Sequence, residues 1–268
     1  MNKQFLVTSI SAILLNLLGM YFRLDYFWSV LLVFGGISLL LSTNAIQTFS
    51  KNNWKLFGGF FIFSNIATLF IEMLMIHFNV WGFSNRVQSL SGLLFLGYPA
   101  EEFIYWAFCP AIVALSYISF GKTFDKFVNP FSLARVAKLG MIFTKPFKND
   151  SGVTYTKEDK TGQYSSGKKF PVYIWLQILI ISVIIMLSKY YRGNKKAMLY
   201  TTIAFFLTAF PHELYSTFNG FWIYNNSALL GIYLFRIPLE GYLMYFISPI
   251  AGCMMIDIAN RIFFKKDI

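Results

Sequence analysis

Apolar residues run along this chain in long blocks separated by short polar breaks. The blocks cover residues 5–22, 26–48, 54–79, 92–118, 171–189, 197–218 and 229–258. Each is close to the ~20 residues that a helix needs to cross a ~30 Å hydrocarbon layer. The pattern predicts an all-α, polytopic integral membrane protein with about seven transmembrane helices. The first block follows Met1-Asn2-Lys3, but it is too long for a signal-peptide core and has no small-residue cleavage site. Residues 1–25 are therefore expected to form an extra, retained N-terminal helix. Only Arg23-Leu24-Asp25 separates it from the second block, which implies a tight hairpin. Residues 119–170 read as a polar, basic linker. Within it PFSLARVAKLGMIF (Pro130–Phe143) has the mixed character of a helix lying on a membrane surface. The stretch KNDSGVTYTKEDKTGQYSSGKK reads as a hydrophilic loop. Residues 259–268 form a basic tail.

The two halves resemble each other. VWGFSN carries Trp81, Phe83 and Asn85; FWIYNN carries Trp222, Tyr224 and Asn226. Nine residues before each Trp stands a glutamate, Glu72 or Glu213. Downstream, GLLFLGYPAEEFIYWAFCP (Gly92–Pro110) aligns with GIYLFRIPLEGYLMYFISP (Gly231–Pro249). This alignment sets Glu101 opposite Glu240 and Glu102 opposite Gly241. The same order of Trp, Asn, Pro and Glu marks residues 26–118 and 171–258 as repeats of three helices each. An odd number of spans per copy predicts an inverted repeat, an arrangement that places shared sites near the bilayer midplane.

Composition agrees with a membrane setting. Hydrophobic residues make up 56% of the chain and charged residues 13%, against ~25% in ordinary soluble domains. The net charge of +11 lies mostly in the loops, which points to positive-inside topology and anionic lipid contact. It offers no compact basic domain for nucleic acid. The side bearing Lys51, Lys55 and the long linker is the expected cytoplasmic side. Lys195, Lys196, Lys265 and Lys266 fall on the other side of an inverted arrangement. Cys109 and Cys253 lie inside apolar blocks, as small packing residues.

The candidate chemistry is acidic. Carboxylates in membrane spans face the bundle interior and usually serve function; the alternative is a polar clasp between helices. Glu72, Glu101, Glu102, Glu213 and Glu240 are the candidate catalytic residues. Glu101 lies ~14 Å into a span of ~40 Å, near mid-depth. Pro99 and Pro238 should break their helices, and a helix restarting there would hold the glutamates in its first turn, where the dipole favours them. Burial and mutual repulsion should keep at least one of Glu101 and Glu102 protonated at neutral pH. Glu101, with a counterpart in the second repeat, is the first choice of proton donor. Glu102 is either its partner or the acid of an asymmetric site. Arg236, four residues before Glu240, should pair with it and keep it ionised. The rings of Tyr98, Phe103, Tyr105, Tyr242 and Tyr245 could line an apolar pocket and stabilise a cation. Asn85 and Asn226, which close the two Trp motifs, complete the candidate binding set with Arg236. Trp81 and Trp222 read as interfacial anchors. His77 and His212 have no repeat partner and no metal-ligand spacing, so no metal site is expected.

The string W-x-[FY]-x-N followed by G-x6-P-x-E-[EG]-[FY], present twice, resembles the small integral-membrane lycopene β-cyclases, which are built from two three-helix repeats. The resemblance implies a redox-neutral, acid-catalysed closure of a ψ-end group to a β-ring, without a cofactor. It implies an apolar carotenoid or other polyprenoid substrate, a multi-pass location in a cell membrane of the bacterial cytoplasmic type, and other carotenoid enzymes as partners beside the lipid bilayer. The family's acidic motif falls on Glu101, Glu102 and Glu240. PLEG in place of a second acidic pair and the long linker depart from the pattern. A proton-coupled membrane transporter with midplane carboxylates is the alternative. It would line its path with Ser, Thr, Asn and Gln, whereas these acids sit among rings. A non-catalytic scaffold leaves the paired acids unexplained.

Overall fold

The computed structural model describes residues 3–78, 80–83, 94–95, 98–121, 163–164 and 170–264. The chain is mostly helical. Five helices are long and apolar enough to cross a membrane: α1 (Lys3–Tyr21), α2 (Tyr26–Thr48), α3 (Lys51–His77), α4 (Ala100–Gly121) and α7 (Leu239–Phe263). Helix α5 (Val172–Ser188) is apolar but shorter. Helix α6 (Lys195–Phe218) is long but carries many polar side chains. It packs against α1, α4 and α7, so Thr201, Thr208, His212, Glu213 and Ser216 are buried inside the bundle. The outer surface is apolar, with Ile10, Leu14 and Leu17 on α1 and Leu179 and Ile185 on α5 exposed. So continuous an apolar face suits lipid, not water.

Two predicted spans start later than their apolar runs. Strand β2 (Leu94–Phe95) pairs antiparallel with β3 (Tyr98–Pro99), and α4 begins only after Pro99. In the second half β6 (Tyr233–Leu234) pairs with β7 (Ile237–Pro238), and α7 begins after Pro238. Proline has no N–H for an interior turn but is tolerated at a helix start. Both helices thus carry their glutamates in the first turn, as the two prolines predict. The helical bounds also correct the far end: α7 runs on through residues expected in the basic tail.

Helix ends sort into two groups. At one end β1 (Trp81–Phe83) pairs antiparallel with β5 (Trp222–Asn225), and β4 (Gln163–Tyr164) joins β5 in parallel. Tyr26 at the start of α2 hydrogen-bonds Glu102 at the start of α4. Tyr215 near the end of α6 donates to the carbonyl of Leu24. At the other end the Asn194 side chain accepts from the Ala197 N–H to cap α6 and donates to the Gly121 carbonyl. There Asp257 accepts from the Arg192 N–H and pairs with Arg261 at 3.2 Å. Phe5 at the start of α1 packs on Phe120 and Tyr200.

These contacts fix the direction of every helix. Helices α2, α3 and α4 run away from, towards and away from the sheet-capped end. Helices α5, α6 and α7 do the same. The two three-helix sets therefore run in the same sense, which overturns the expected inversion. The reason lies in the connection: Gly121 is at the far end and Gln163 is in the sheet, so residues 122–162 link opposite ends of the bundle. The stretch containing Gln163 and Tyr164 is expected to be a hydrophilic loop, yet these two residues form β4, a strand of the cap. Pro130–Phe143 lies outside the described residues.

This arrangement collects the described cations. Lys3, Lys51, Lys55, Lys189, Arg192, Lys195, Lys196 and Arg261 all fall at the far end, whereas Arg23 and Arg236 lie at the sheet end. In a chain with Cys109 and Cys253 replaced, single cysteines at Lys51 and Asn194 are expected to react with an impermeant thiol reagent from one membrane side. Cysteines at Arg23 and Asn219 are expected to react from the other. Labelling of Lys51 and Asn194 positions from opposite sides would restore the inverted arrangement.

Candidate functional site

The sheet-capped end gathers the glutamates. Glu72, in the last turns of α3, is buried and accepts from the indole N–H of Trp81 at 2.8 Å. Trp81 stands at the start of β1, nine residues on, and its ring meets the edge of Tyr173 at 5.4 Å. Trp81 is thus a hydrogen-bond donor inside the site, not only an interfacial anchor. Glu213, in the last turns of α6, accepts a phenol on each oxygen: Tyr224 of β5 on Oε1 and Tyr245 of α7 on Oε2, the latter at 2.7 Å. Two O–H donors on one carboxylate stand in for the water it has lost.

Glu101 and Glu102 part company. Both are 2% exposed. Glu102 accepts from the Tyr26 phenol at 2.7 Å, and Glu72 and Glu213 lie close enough for their charges to act on it. Neither oxygen of Glu101 has a hydrogen-bond partner among the described residues. Adjacent helical residues point ~100° apart, and it is Glu102 that turns into the cluster. The sequence's first choice of proton donor is Glu101; the structure turns Glu102, not Glu101, towards Tyr26, Glu72 and Glu213. The depth is corrected too: because α4 begins only after β3, the acids lie in the first turn of a helix that starts at the capped end and not at the middle of a straight span.

Glu240, the counterpart of Glu101, is fully buried. Its Oε1 accepts from the Leu230 N–H at 2.6 Å, tying the start of α7 to the segment before the hairpin. Gln177 of α5 donates to the Glu240 backbone carbonyl. Arg236 does not pair with it. It lies in the β6–β7 turn, exposed, with its guanidinium 4.9 Å from the centre of the Phe218 ring. The i,i+4 argument fails because residue 236 precedes the helix. Among the described residues no Lys or Arg makes an ion pair with Glu72, Glu101, Glu102 or Glu240.

Gly241 explains the asymmetric motif. A Cβ there would come within 2.9 Å of the Ile237 side chain, which is completely buried and cannot swing away. The position opposite Glu102 has no room for any side chain.

The other predicted residues divide. Tyr105 is buried and joins the cluster, and Phe103 packs at the margin of the core. Tyr242 faces outward, donating to the Leu234 carbonyl, with its ring 5.0 Å from Phe210. Asn226 accepts from the Tyr233 phenol. Tyr98 takes its place in β3 opposite Phe95. Asn85 lies outside the described residues.

Three site residues escaped the sequence reading. Tyr26 is the donor to Glu102. Tyr173, at the start of α5, lies within electrostatic reach of Glu72, Glu213 and Glu240. His212 is buried beside Glu213. Its ring stacks on Tyr105 at 5.9 Å and meets the Phe34 ring edge-on at 5.1 Å. The Ser29 hydroxyl donates to the Tyr26 carbonyl, so it accepts from His212 Nε2–H at 3.1 Å, which fixes that tautomer. A π-turn at Leu31–Gly35 in α2 carries Phe34; such turns recur at functional sites. Only the burial of a lone histidine beside a repeat glutamate could have flagged His212. Nothing local marks Tyr26, which precedes its acid by 76 residues.

Comparison with protein-family models, characterised proteins and solved structures finds no match to this chain.

Gly241→Ala is expected to lower the melting temperature by several degrees, since overpacking a filled site costs about 1–3 kcal/mol. A variant melting with the wild type would sink the packing account of the asymmetry. Tyr26→Phe is expected to destabilise by about 1–3 kcal/mol, because it leaves a buried acceptor without its donor. Phe34→Leu, at a ring that like Tyr26 packs on His212, should cost less than Tyr26→Phe if that bond rather than ring packing is the main contribution.

Proposed function

We propose that this chain is an acid-catalysed cyclase of an apolar polyprenoid, acting in the manner of a lycopene β-cyclase. The observation that carries the reading is a group of buried glutamates held by phenol, indole and backbone donors among aromatic rings, at one end of an apolar bundle. In this reading Glu102 gives its proton to a terminal C=C of a ψ-end group. The tertiary carbocation is attacked by an internal double bond, and a six-membered ring closes. A neighbouring carbon then loses a proton to a carboxylate, which leaves the substrate isomerised with no net redox change. Glu213, with a phenol donor on each oxygen, opposes the positive charge. Tyr105, Tyr245 and Tyr173 present π-faces to the cation, and the closed surroundings keep water from quenching it. No step needs a cofactor.

The same reading takes the chain as two copies of a three-helix unit that follow an N-terminal helix. It is supported by the two short strand pairs, which match Leu94 with Pro99 and Tyr233 with Pro238 at aligned positions. It is also supported by the pairing of the two Trp motifs across β1 and β5. Helix α5 would be ~26 Å long at ~1.5 Å per residue, enough for a thin or locally adjusted bilayer. The polar face of α6 is covered by three neighbours. With the basic end in the cytoplasm, the acid cluster would open towards the opposite leaflet.

Expression in a lycopene-accumulating bacterium, followed by pigment chromatography, tests the reading. Wild type is expected to yield cyclised carotenoid. Glu102→Gln should reduce conversion by roughly 10²-fold or more, the usual cost of losing a general acid, while Glu101→Gln should lower it less. Unchanged lycopene, with wild-type protein shown to be in the membrane, would overturn the proposal. A Glu102→Gln variant of full activity would remove the acid assigned here.

A further inference from the structure

A groove of about 250 Å³ opens at the basic end, between the first turns of α1 and the last turns of α2. Its walls are of two kinds. Val7, Leu40 and Leu41 give it an apolar side, and Lys3, Asn44 and Gln47 give it a polar mouth. We infer that this groove is a binding site for an anionic phospholipid, with the phosphate at the mouth and the start of an acyl chain along the apolar side.

Four observations carry the assignment. The first is depth. Lys3 opens α1 and Gln47 stands one residue before the end of α2, so the mouth lies where the helices leave the apolar belt. Phospholipid phosphates lie at that level. The second is donor chemistry. The Asn44 amide nitrogen is buried and has no hydrogen-bond partner among the described residues. It and the Lys3 ammonium supply N–H groups and positive charge for a phosphate. The third is the first turn of α1, which contains no acidic side chain. Its backbone N–H groups and dipole favour an anion there. The fourth is charge complementarity. The described cations other than Arg23 and Arg236 collect at this end. The described acid there is Asp257, already engaged by Arg192 and Arg261. A negative headgroup therefore enters a positive field with no carboxylate among the described residues at the mouth to repel it.

The amide at Asn44 separates a site from a general basic surface. Exposed lysines attract any anionic membrane; a buried, unmatched donor between two helices selects a group that reaches it. Thr43 does not compete, since its hydroxyl donates to the Leu40 carbonyl. Occupancy would also tie α1 to α2 at the end where their connecting turn is farthest away. The inference needs the membrane setting but not the cyclase chemistry, so it can fail while that reading stands.

The test uses the full chain in detergent, with thermal unfolding measured after adding phosphatidylglycerol, phosphatidylcholine or inorganic phosphate. Native mass spectrometry counts the lipids retained. Phosphatidylglycerol is expected to raise the wild-type melting temperature by roughly 3 °C or more, as a ligand in excess over its dissociation constant does. Phosphatidylcholine should give a clearly smaller rise and inorganic phosphate none. Lys3→Ala and Asn44→Leu should each lose at least half of the phosphatidylglycerol shift, and one retained lipid. Lys195→Ala removes the same charge from the same end but outside the groove, and should keep both. Equal shifts from the two lipids would overturn the site, as would an equal shift from inorganic phosphate. So would a loss in Lys195→Ala matching that in Lys3→Ala, which would reduce the effect to diffuse charge. Should either groove variant fail to fold, the wild-type lipid comparison still decides, because absence of selective phosphatidylglycerol retention refutes the site by itself.

Discussion

A carboxyl group buried in an apolar bundle is costly without hydrogen-bond donors, and the architecture at the sheet-capped end supplies them to four of the five glutamates gathered there, Glu101 having none among the described residues. Glu72 takes the indole N–H of Trp81, Glu102 the phenol of Tyr26, Glu213 two phenols, and Glu240 the backbone N–H of Leu230. Each of these donors except Tyr245 comes from a segment at or just beyond a helix end. An unmatched buried polar group costs several kcal/mol in so apolar a setting. The short strands that close the bundle therefore do more than connect helices. The antiparallel match of Trp81 with Tyr224 brings the donors of two distant glutamates onto adjacent strands.

The same need separates holding residues from those available for chemistry. Glu240 is tied to the backbone ahead of its hairpin, and Gln177 is tied to the Glu240 carbonyl. Those bonds lock the start of α7. Glu102 is held by the Tyr26 phenol and lies within electrostatic reach of Glu72 and Glu213. The asymmetry between the halves is steric: the packed side chain of Ile237 fills the space that a residue at 241 would require. If the cyclase reading is right, the pocket has one acid at this motif and not two.

Helix direction organises the rest. With both three-helix sets running in the same sense, lysines that an inverted arrangement would divide between two membrane faces come together at one end. The acid cluster then occupies one end of the bundle and the described cations other than Arg23 and Arg236 the other. Such separation gives a clear positive-inside signal, and it leaves the interior near Glu102 without a described lysine or arginine to neutralise it. His212 belongs to the acid end. Its contacts with Ser29, Phe34 and Tyr105 join α2, α4 and α6 around that cluster.

Much of this was legible in the residues. Long apolar blocks specify membrane-length helices because a hydrocarbon layer imposes a length, and Pro99 and Pro238 mark where α4 and α7 start because proline lacks the N–H that an earlier turn would need. The repeated spacing from Glu to Trp and from Gly to Pro identified the buried glutamates. Local pattern could not reveal how the halves are oriented, since that depends on where a long connection re-enters the bundle. Nor could it choose between Glu101 and Glu102, because the choice rests on which face of α4 meets Tyr26 and α3. The expected Arg236–Glu240 pair failed for a related reason: helical spacing was applied to a residue that the hairpin holds outside the helix. The sequence by itself determined which groups are buried in an apolar setting; only the tertiary structure decided which donors reach them, because those donors come from segments remote along the chain.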